Sequence, residues 1–334
     1  MASVSTSQPD ARGGEYRVTV RVPATSANLG PGYDCFGLAM ARYDEVTAHI
    51  IEGPSQVRVR GVGARTVPLD DRHLVLRAAA RVFARSGESA PALALECVNR
   101  IPHGGGQGSS AAATVAGMML ARALGGPAAQ ALTDDDILAL ATEMEGHPDN
   151  VAPAIFGGLT VSWTPVERAV KTIRAQVHPT IELVVFSAQT HSSTKAARNM
   201  LPMNISHRDA AANSAATAVL LHALTVDPSY LMDGTVDLLH QSYRSSAMPA
   251  SANLVARLRS AGVAAVISGA GPSVLALSTG ALDLAPWDGV QGFTSDRLGV
   301  DAAGAIVKAA TTGDEAGPAY SASSAIDPGK NDTP

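Results

Sequence analysis

The stretch Pro102-His-Gly-Gly-Gly-Gln-Gly-Ser-Ser-Ala-Ala-Ala113 constrains the fold of this chain more than any other. It sets four glycines in five positions between an apolar alternation, Leu93–Val98, and a run of small and apolar residues from Ser109 to Leu124. A strand must turn there into a helix, because glycine frees the backbone to take left-handed angles and leaves its N–H groups uncovered. The helix presents its own unpaired N–H groups and the positive end of its dipole to the same loop. Such a unit is an anion cradle, suited to the phosphates of a nucleotide. No Gly-Lys-Ser/Thr follows, so it is not a Walker A loop. Gly106-x-Gly108-x-x-Ala111 fits the dinucleotide pattern, but no second strand with an acidic end follows at the required distance. On these residues alone the loop also serves as a connection that binds nothing.

The rest of the folded body, about residues 16–310, interleaves strands and helices without a regular βαβ rhythm, which predicts an α+β fold. Strands are expected at Tyr16–Val22, Asp44–Glu52, Val57–Val62, Gly158–Thr164, Ile181–Ser187, Val263–Ser268 and Val274–Leu277. Helices are expected at Asp71–Ser86 with a stop at Gly87, and from the Thr133-Asp-Asp-Asp136 cap to Met144. More are expected over 194–201, 206–225, 235–245 and 250–261. A loose stretch near 165–178 suggests a boundary, giving domains over 15–170 and 171–310. Residues 1–14 and 311–334 are small and polar and are expected to be disordered.

Composition narrows the function classes. With 25 basic and 30 acidic residues the net charge is −5, which argues against a nucleic-acid or anionic-membrane surface. Only four lysines are present (Lys171, Lys195, Lys308, Lys330), leaving few candidates for a lysine nucleophile or phosphate-binding lysine. Cys35 and Cys97 fit neither a disulfide scaffold nor a zinc site. The polar start lacks a signal-peptide core and no long apolar run occurs, so a cytoplasmic protein is expected.

Three further segments carry chemistry-bearing side chains. Glu143-Met-Glu145-Gly-His147-Pro-Asp149-Asn150 crowds carboxylates, imidazole and amide at a helix end, fit to hold magnesium and orient a hydroxyl, or simply to turn the chain. Pro23-Ala-Thr-Ser-Ala-Asn28-Leu-Gly-Pro-Gly32-Tyr-Asp34 follows a strand and sets Asp34 before the apolar Cys35–Met40. Ser268-Gly-Ala-Gly-Pro-Ser273 is a compact glycine turn, and Arg198 and Arg244 lie on separate predicted helices.

Taken together, the three glycine-bearing segments resemble, in order, the three motifs of the GHMP small-molecule kinases. Glu145-Gly-His147-Pro-Asp149-Asn150-Val-Ala-Pro is similar to the form seen in the homoserine kinases within that family. The resemblance implies an N-terminal domain like the second domain of ribosomal protein S5, carrying the nucleotide, and a ferredoxin-like C-terminal domain. It also implies transfer of the ATP γ-phosphoryl group to the side-chain hydroxyl of L-homoserine, a step in threonine biosynthesis.

By the same resemblance, Pro102, His103, Gly104, Gly105, Gly106, Gln107, Gly108, Ser109, Ser110, Ala111 and Ala112 hold the nucleotide. Ser109 and Glu145 match the Mg2+-holding positions. Asn28, Asp34, His147, Asn150, Thr194, Arg198, Arg244 and Gly271 match positions around the amino acid. Arginines suit a carboxylate and an aspartate suits an ammonium. Asn150, Asp149 and Arg198 are the candidates for the transfer step, with Asp149 the nearest thing to a base. Partners are then small molecules only, with a homodimer allowed for.

Two positions depart from the homoserine-kinase pattern Arg-Gly-Leu-Gly-Ser-Ser. Gly105 stands where the arginine is usual and Gln107 where the leucine is usual. A buried, unpartnered Gln107 would cost about 1–3 kcal/mol; one that reached phosphate or ribose would not. These departures, with the polar His191-Ser-Ser193 before Thr194, keep two alternatives open. One is a paralogue acting on another small hydroxy-amino acid; the other is a non-catalytic relative that binds nucleotide or amino acid.

Overall fold

The computed structural model describes residues 16–165, 169–190, 194–287, 289–311 and 320–321. The chain begins with β1 (Tyr16–Ala27) and β2 (Phe36–Ile51), an antiparallel pair. Val18, Val20 and Val22 alternate into the core and are fully buried. Pro23 has no N–H for the ladder, and the register shifts between Pro23 and Ala24. Past that irregularity the strand continues, so the expected loop after Val22 starts only at Asn28.

β3 (Gln56–Gly61), α1 (Leu74–Ser86) and β4 (Ala92–Asn99) follow, with β3 and β4 parallel. α1 stops at Gly87, whose φ is 75°, as expected. Next come α2 (Ser109–Leu124), α3 (Pro127–Gln130), α4 (Asp134–Glu145) and α5 (Val151–Phe156). α2 has the predicted bounds and is buried along most of its length against β1, α1 and α4. α4 opens with a capping box, in which Thr133 and Asp136 satisfy each other's backbone N–H.

β5 (Leu159–Trp163) and β6 (Lys171–Ala175) form a hairpin on the first half of β2. The expected boundary at 170/171 therefore falls just before a strand of the first sheet. That stretch reads as loose because β6 is an edge strand without a buried apolar face. β7 (Ile181–Ala188) opens the second sheet. It is followed by α6 (Thr194–Arg198), α7 (His207–Thr225), α8 (Leu231–Gly234), α9 (Gln241–Arg244) and α10 (Pro249–Ser260). The helix expected over 235–245 is not continuous. Asp237 accepts the N–H groups of Leu239, His240 and Gln241, which caps a new start at α9. α6 likewise ends at Arg198, three residues short of the expected bound.

β8 (Ala264–Ile267), β9 (Val274–Thr279) and β10 (Phe293–Leu298) complete the second sheet, in the order β10-β7-β9-β8. The chain then returns to the first sheet with β11 (Ile306–Thr311) and β12 (Tyr320–Ser321), in the order β12-β11-β1-β2-β4-β3. Thr311 and Tyr320–Ser321 belong to the expected disordered tail but pair as strand, because β1 and β11 offer them ladder partners. The remaining tail residues, residues 1–14 and the polar His191–Ser193 lie outside the described residues. One hydrophobic cluster joins the first sheet, its helices and one side of the second sheet; α10 and Trp287 cover the other side. No helix among the described residues is long and apolar enough to cross a membrane.

Candidate active site

The loop after β1, the glycine loop before α2, the end of α4 and the turn between β8 and β9 converge on a cleft of about 510 Å³. Arg198 of α6 and Arg244 of α9 complete its wall. Every residue that the resemblance places in the site lines this cleft except Thr194, whose side chain lies outside the described residues.

The glycine loop is held open by its backbone. Gly106 and Gly108 have φ of 75° and 71°, in the left-handed region that side chains avoid. A Cβ on Gly106 would stand 2.3 Å from the Ser268 carbonyl, and one on Gly108 would stand 1.9 Å from Thr25 Oγ1. The loop is thus clamped between β1 and the Ser268–Ser273 turn, with Gly108 as the N-cap of α2. Past the loop the cleft wall sets the apolar Val46, Val67, Pro68, Leu74 and Val75 beside Asp44, Arg72, His73 and Asn99. The buried Nδ1 of His73 stands there without a partner. Burial and the neighbouring His103 hold the His73 pKa below the usual histidine range.

Gln107 resolves differently from both expectations. Its side chain is fully buried, yet its amide is satisfied by partners within the protein. Oε1 accepts from Arg42 Nη1 at 2.5 Å, and Nε2 donates to Ser187 Oγ at 2.8 Å. The partners lie 65 and 80 residues away, so no local pattern announces them.

Glu145, at the end of α4, accepts at one oxygen from Ser110 Oγ (2.7 Å) and Thr114 Oγ1 (3.0 Å) on the first turns of α2. Its partner in this structure is therefore Ser110 and not Ser109, which lines the cleft one residue earlier. Carboxylate and hydroxyl oxygens at a helix N-terminus are the hard donors that suit Mg2+. Just beyond, Asp149 is 1% exposed and accepts from His147 Nδ1 at 2.5 Å and from Asn150 Nδ2 at 3.2 Å. Thr25 donates to Asn150 Oδ1 at 2.9 Å, so the Asn150 amide is fixed from both ends. Burial alone would lower the His147 pKa, but the hydrogen bond and charge of Asp149 outweigh it and raise the value.

The opposite wall carries paired charges. Arg198 grips Asp34 with two parallel bonds of 2.8 Å each. Asp34 has φ 55°, as Asn28 has φ 67°; the Asn28 side chain holds the turn by donating to Gly269 O and accepting from Asp34 N. Both guanidinium groups, of Arg198 and Arg244, lie 5.5 Å from the ring centre of Tyr33. Arg244 is 3% exposed and donates to Ala197 O and His240 Nδ1. His240 Nε2 donates to Gly30 O at 2.9 Å, so the ring is neutral and its Nδ1 is the acceptor that aims Arg244. Burial keeps the His240 pKa down.

Sequence reasoning missed Thr25, Tyr33, Arg42 and His240. His240 stands one helical turn before Arg244, and Tyr33 adjoins Asp34; those spacings were the available signals.

Residues 73–158 match the N-terminal domain model of the GHMP kinases and residues 227–284 match the C-terminal one. Homoserine kinase of Streptomyces avermitilis is 46% identical over 295 residues, which cover 87% of this chain and 95% of that protein. Homoserine kinase of Clavibacter michiganensis is 45% identical, covering 89% and 96%. A crystal structure of homoserine kinase from Cytophaga hutchinsonii superposes with a TM-score of 0.75 at 26% identity, over 92% of this chain and 100% of that one. Identity at that level over nearly nine-tenths of its length means that the chain belongs to the homoserine kinases of the GHMP kinase family.

Proposed function

We propose that this chain transfers the γ-phosphoryl group of ATP to the side-chain hydroxyl of L-homoserine. The observation that carries the reading is the juxtaposition of an anion cradle with a wall of opposite charges. Asp34, Arg198 and Arg244 offer both signs to a zwitterion in the same cleft as the glycine loop. A bound amino acid would exchange the Arg198–Asp34 pair for its own two charges. Its ammonium goes to Asp34 and its carboxylate to the two arginines, which leaves few charges unpaired. Fixed backbone geometry at Gly106 and Gly108 supports the triphosphate lying along the loop, with the base against the Val46, Val67 and Leu74 wall beyond it.

Phosphoryl transfer rests on positioning and charge neutralisation more than on covalent chemistry. Asn150, held by Thr25 and Asp149, orients the acceptor hydroxyl. Asp149 is buried and shared between His147 and Asn150, which supports a positioning role; the hydroxyl proton then passes late to an oxygen of the transferred phosphoryl group, as the bond from the acceptor oxygen to phosphorus forms and the bond from phosphorus to the ADP oxygen breaks. Glu145 and Ser109, with Ser110 beside them, are the residues that would hold Mg2+. That ion, when bound, neutralises charge developing on the phosphate oxygens.

The test is a steady-state ADP-release assay with ATP, Mg2+ and a panel of L-homoserine, L-serine, L-threonine, 4-hydroxythreonine and no acceptor. Homoserine should lead by about a hundredfold in kcat/KM, equivalent to roughly 2.7 kcal/mol of transition-state binding. Another leading substrate would overturn the acceptor, and silence across the panel would overturn the activity.

A further inference from the structure

Gln107 is the only residue between Gly104 and Gly108 that carries a side chain. Two left-handed glycines flank it, so the backbone on either side has more freedom than any other residue would allow. Its amide bonds to three side chains on three different parts of the fold. Arg42 belongs to β2 in the first sheet, Ser187 to β7 in the second, and Ser273, 3.4 Å from Nε2, to the turn before β9. Arg42 continues the chain of contacts to Asp296 of β10 at 2.7 Å, and Ser273 Oγ accepts from the Ala188 N–H. The loop backbone makes the same link: Gly105 O accepts from Ser273 N, Gly106 O from Ser268 Oγ, and Gln107 O from Thr25 N.

An amide suits this place because it offers an acceptor to arginine, which can only donate, and donors to hydroxyls. Leucine at 107 would take away the acceptor that Arg42 Nη1 reaches at 2.5 Å and leave it only its longer bond to Ser187 Oγ at 3.4 Å. We propose that Gln107 is a positioning residue that fastens the phosphate loop to both sheets, so that affinity for ATP depends on this joint although the amide does not touch the nucleotide. The proposal rests on the reading of the loop as the phosphate site.

The test is calorimetric titration of a non-hydrolysable ATP analogue with Mg2+ into the full chain, its Gln107→Leu and Ser187→Ala variants, and the double variant. Gln107→Leu should raise Kd for the analogue about tenfold and Ser187→Ala about threefold. The double variant should fall well short of the product of the two single effects, since both singles remove the Gln107–Ser187 bond. KM for homoserine should stay within twofold throughout. A purely structural role would lower Tm but leave the analogue's Kd unchanged. Kd within twofold of the parent in the folded variants, or effects that simply add, would overturn the proposal. If Gln107→Leu fails to fold, Ser187→Ala decides alone. A parent chain that binds no analogue would remove the nucleotide reading itself, whereas a parent that binds beside unaltered variants removes only the joint.

Discussion

Gly108→Ala is the sharpest perturbation of the glycine loop. The residue sits at φ 71°, where an L side chain costs about 1–2 kcal/mol. Its new Cβ would lie 1.9 Å from Thr25 Oγ1 and 3.2 Å from Asn150 Oδ1, on the bond that joins those two side chains. Relieving that overlap means moving Thr25 or the loop, at a cost of about 1–3 kcal/mol. Together the two contributions come to about 2–5 kcal/mol, no more than the roughly 5–15 kcal/mol stability of an ordinary domain.

Thr25→Ala alone should cost about 1 kcal/mol, through the lost bond to Asn150. It also removes the atom that Gly108→Ala strikes, so the double variant should be more stable than the sum of the singles by about 1–2 kcal/mol. Urea denaturation of the four proteins measures this coupling, and ADP release from the same samples should show KM for ATP rising tenfold or more in Gly108→Ala. Additive stabilities, or a Gly108→Ala change within about 0.5 kcal/mol of the parent, would refute the argument that this glycine is kept by sterics.

The remaining predictions address the charged groups. Glu145→Ala should lower turnover by roughly a hundredfold while the Kd for homoserine stays near the parent value; unchanged turnover would remove Glu145 from the metal-holding role. Arg244→Met should raise KM for homoserine by about ten- to a hundredfold, as expected for a charge-assisted bond to a carboxylate, and an unaltered KM would take it out of the substrate site. His147 has a pKa raised above its ordinary value of about 6.5, so its bond to Asp149 stabilises fully below that pH and fades as pH rises through the raised value. The Tm advantage of the parent over His147→Gln should therefore shrink as pH rises above about 6.5, and a difference that stays constant with rising pH would disprove the assignment.

Features governed by local forces were legible in the chain itself. The helix Ser109–Leu124 follows from a glycine N-cap and a run of small apolar residues, and the α4 capping box from Thr133 and Asp136. Both depend on backbone bonds within a few residues. The resemblance carried by the three glycine-bearing segments also named many of the residues that line the cleft. Tertiary contacts decided the rest. β11 exists because β1 offers it a ladder partner some 290 positions earlier, and its own residues carry no strong alternation. The break between α8 and α9 depends on one carboxylate, Asp237, turned back on three N–H groups. Gln107 is the clearest case. Whether a buried amide is a defect or a joint depends on whether hydroxyls and a guanidinium arrive beside it, and Arg42, Ser187 and Ser273 are brought there only when both sheets have formed.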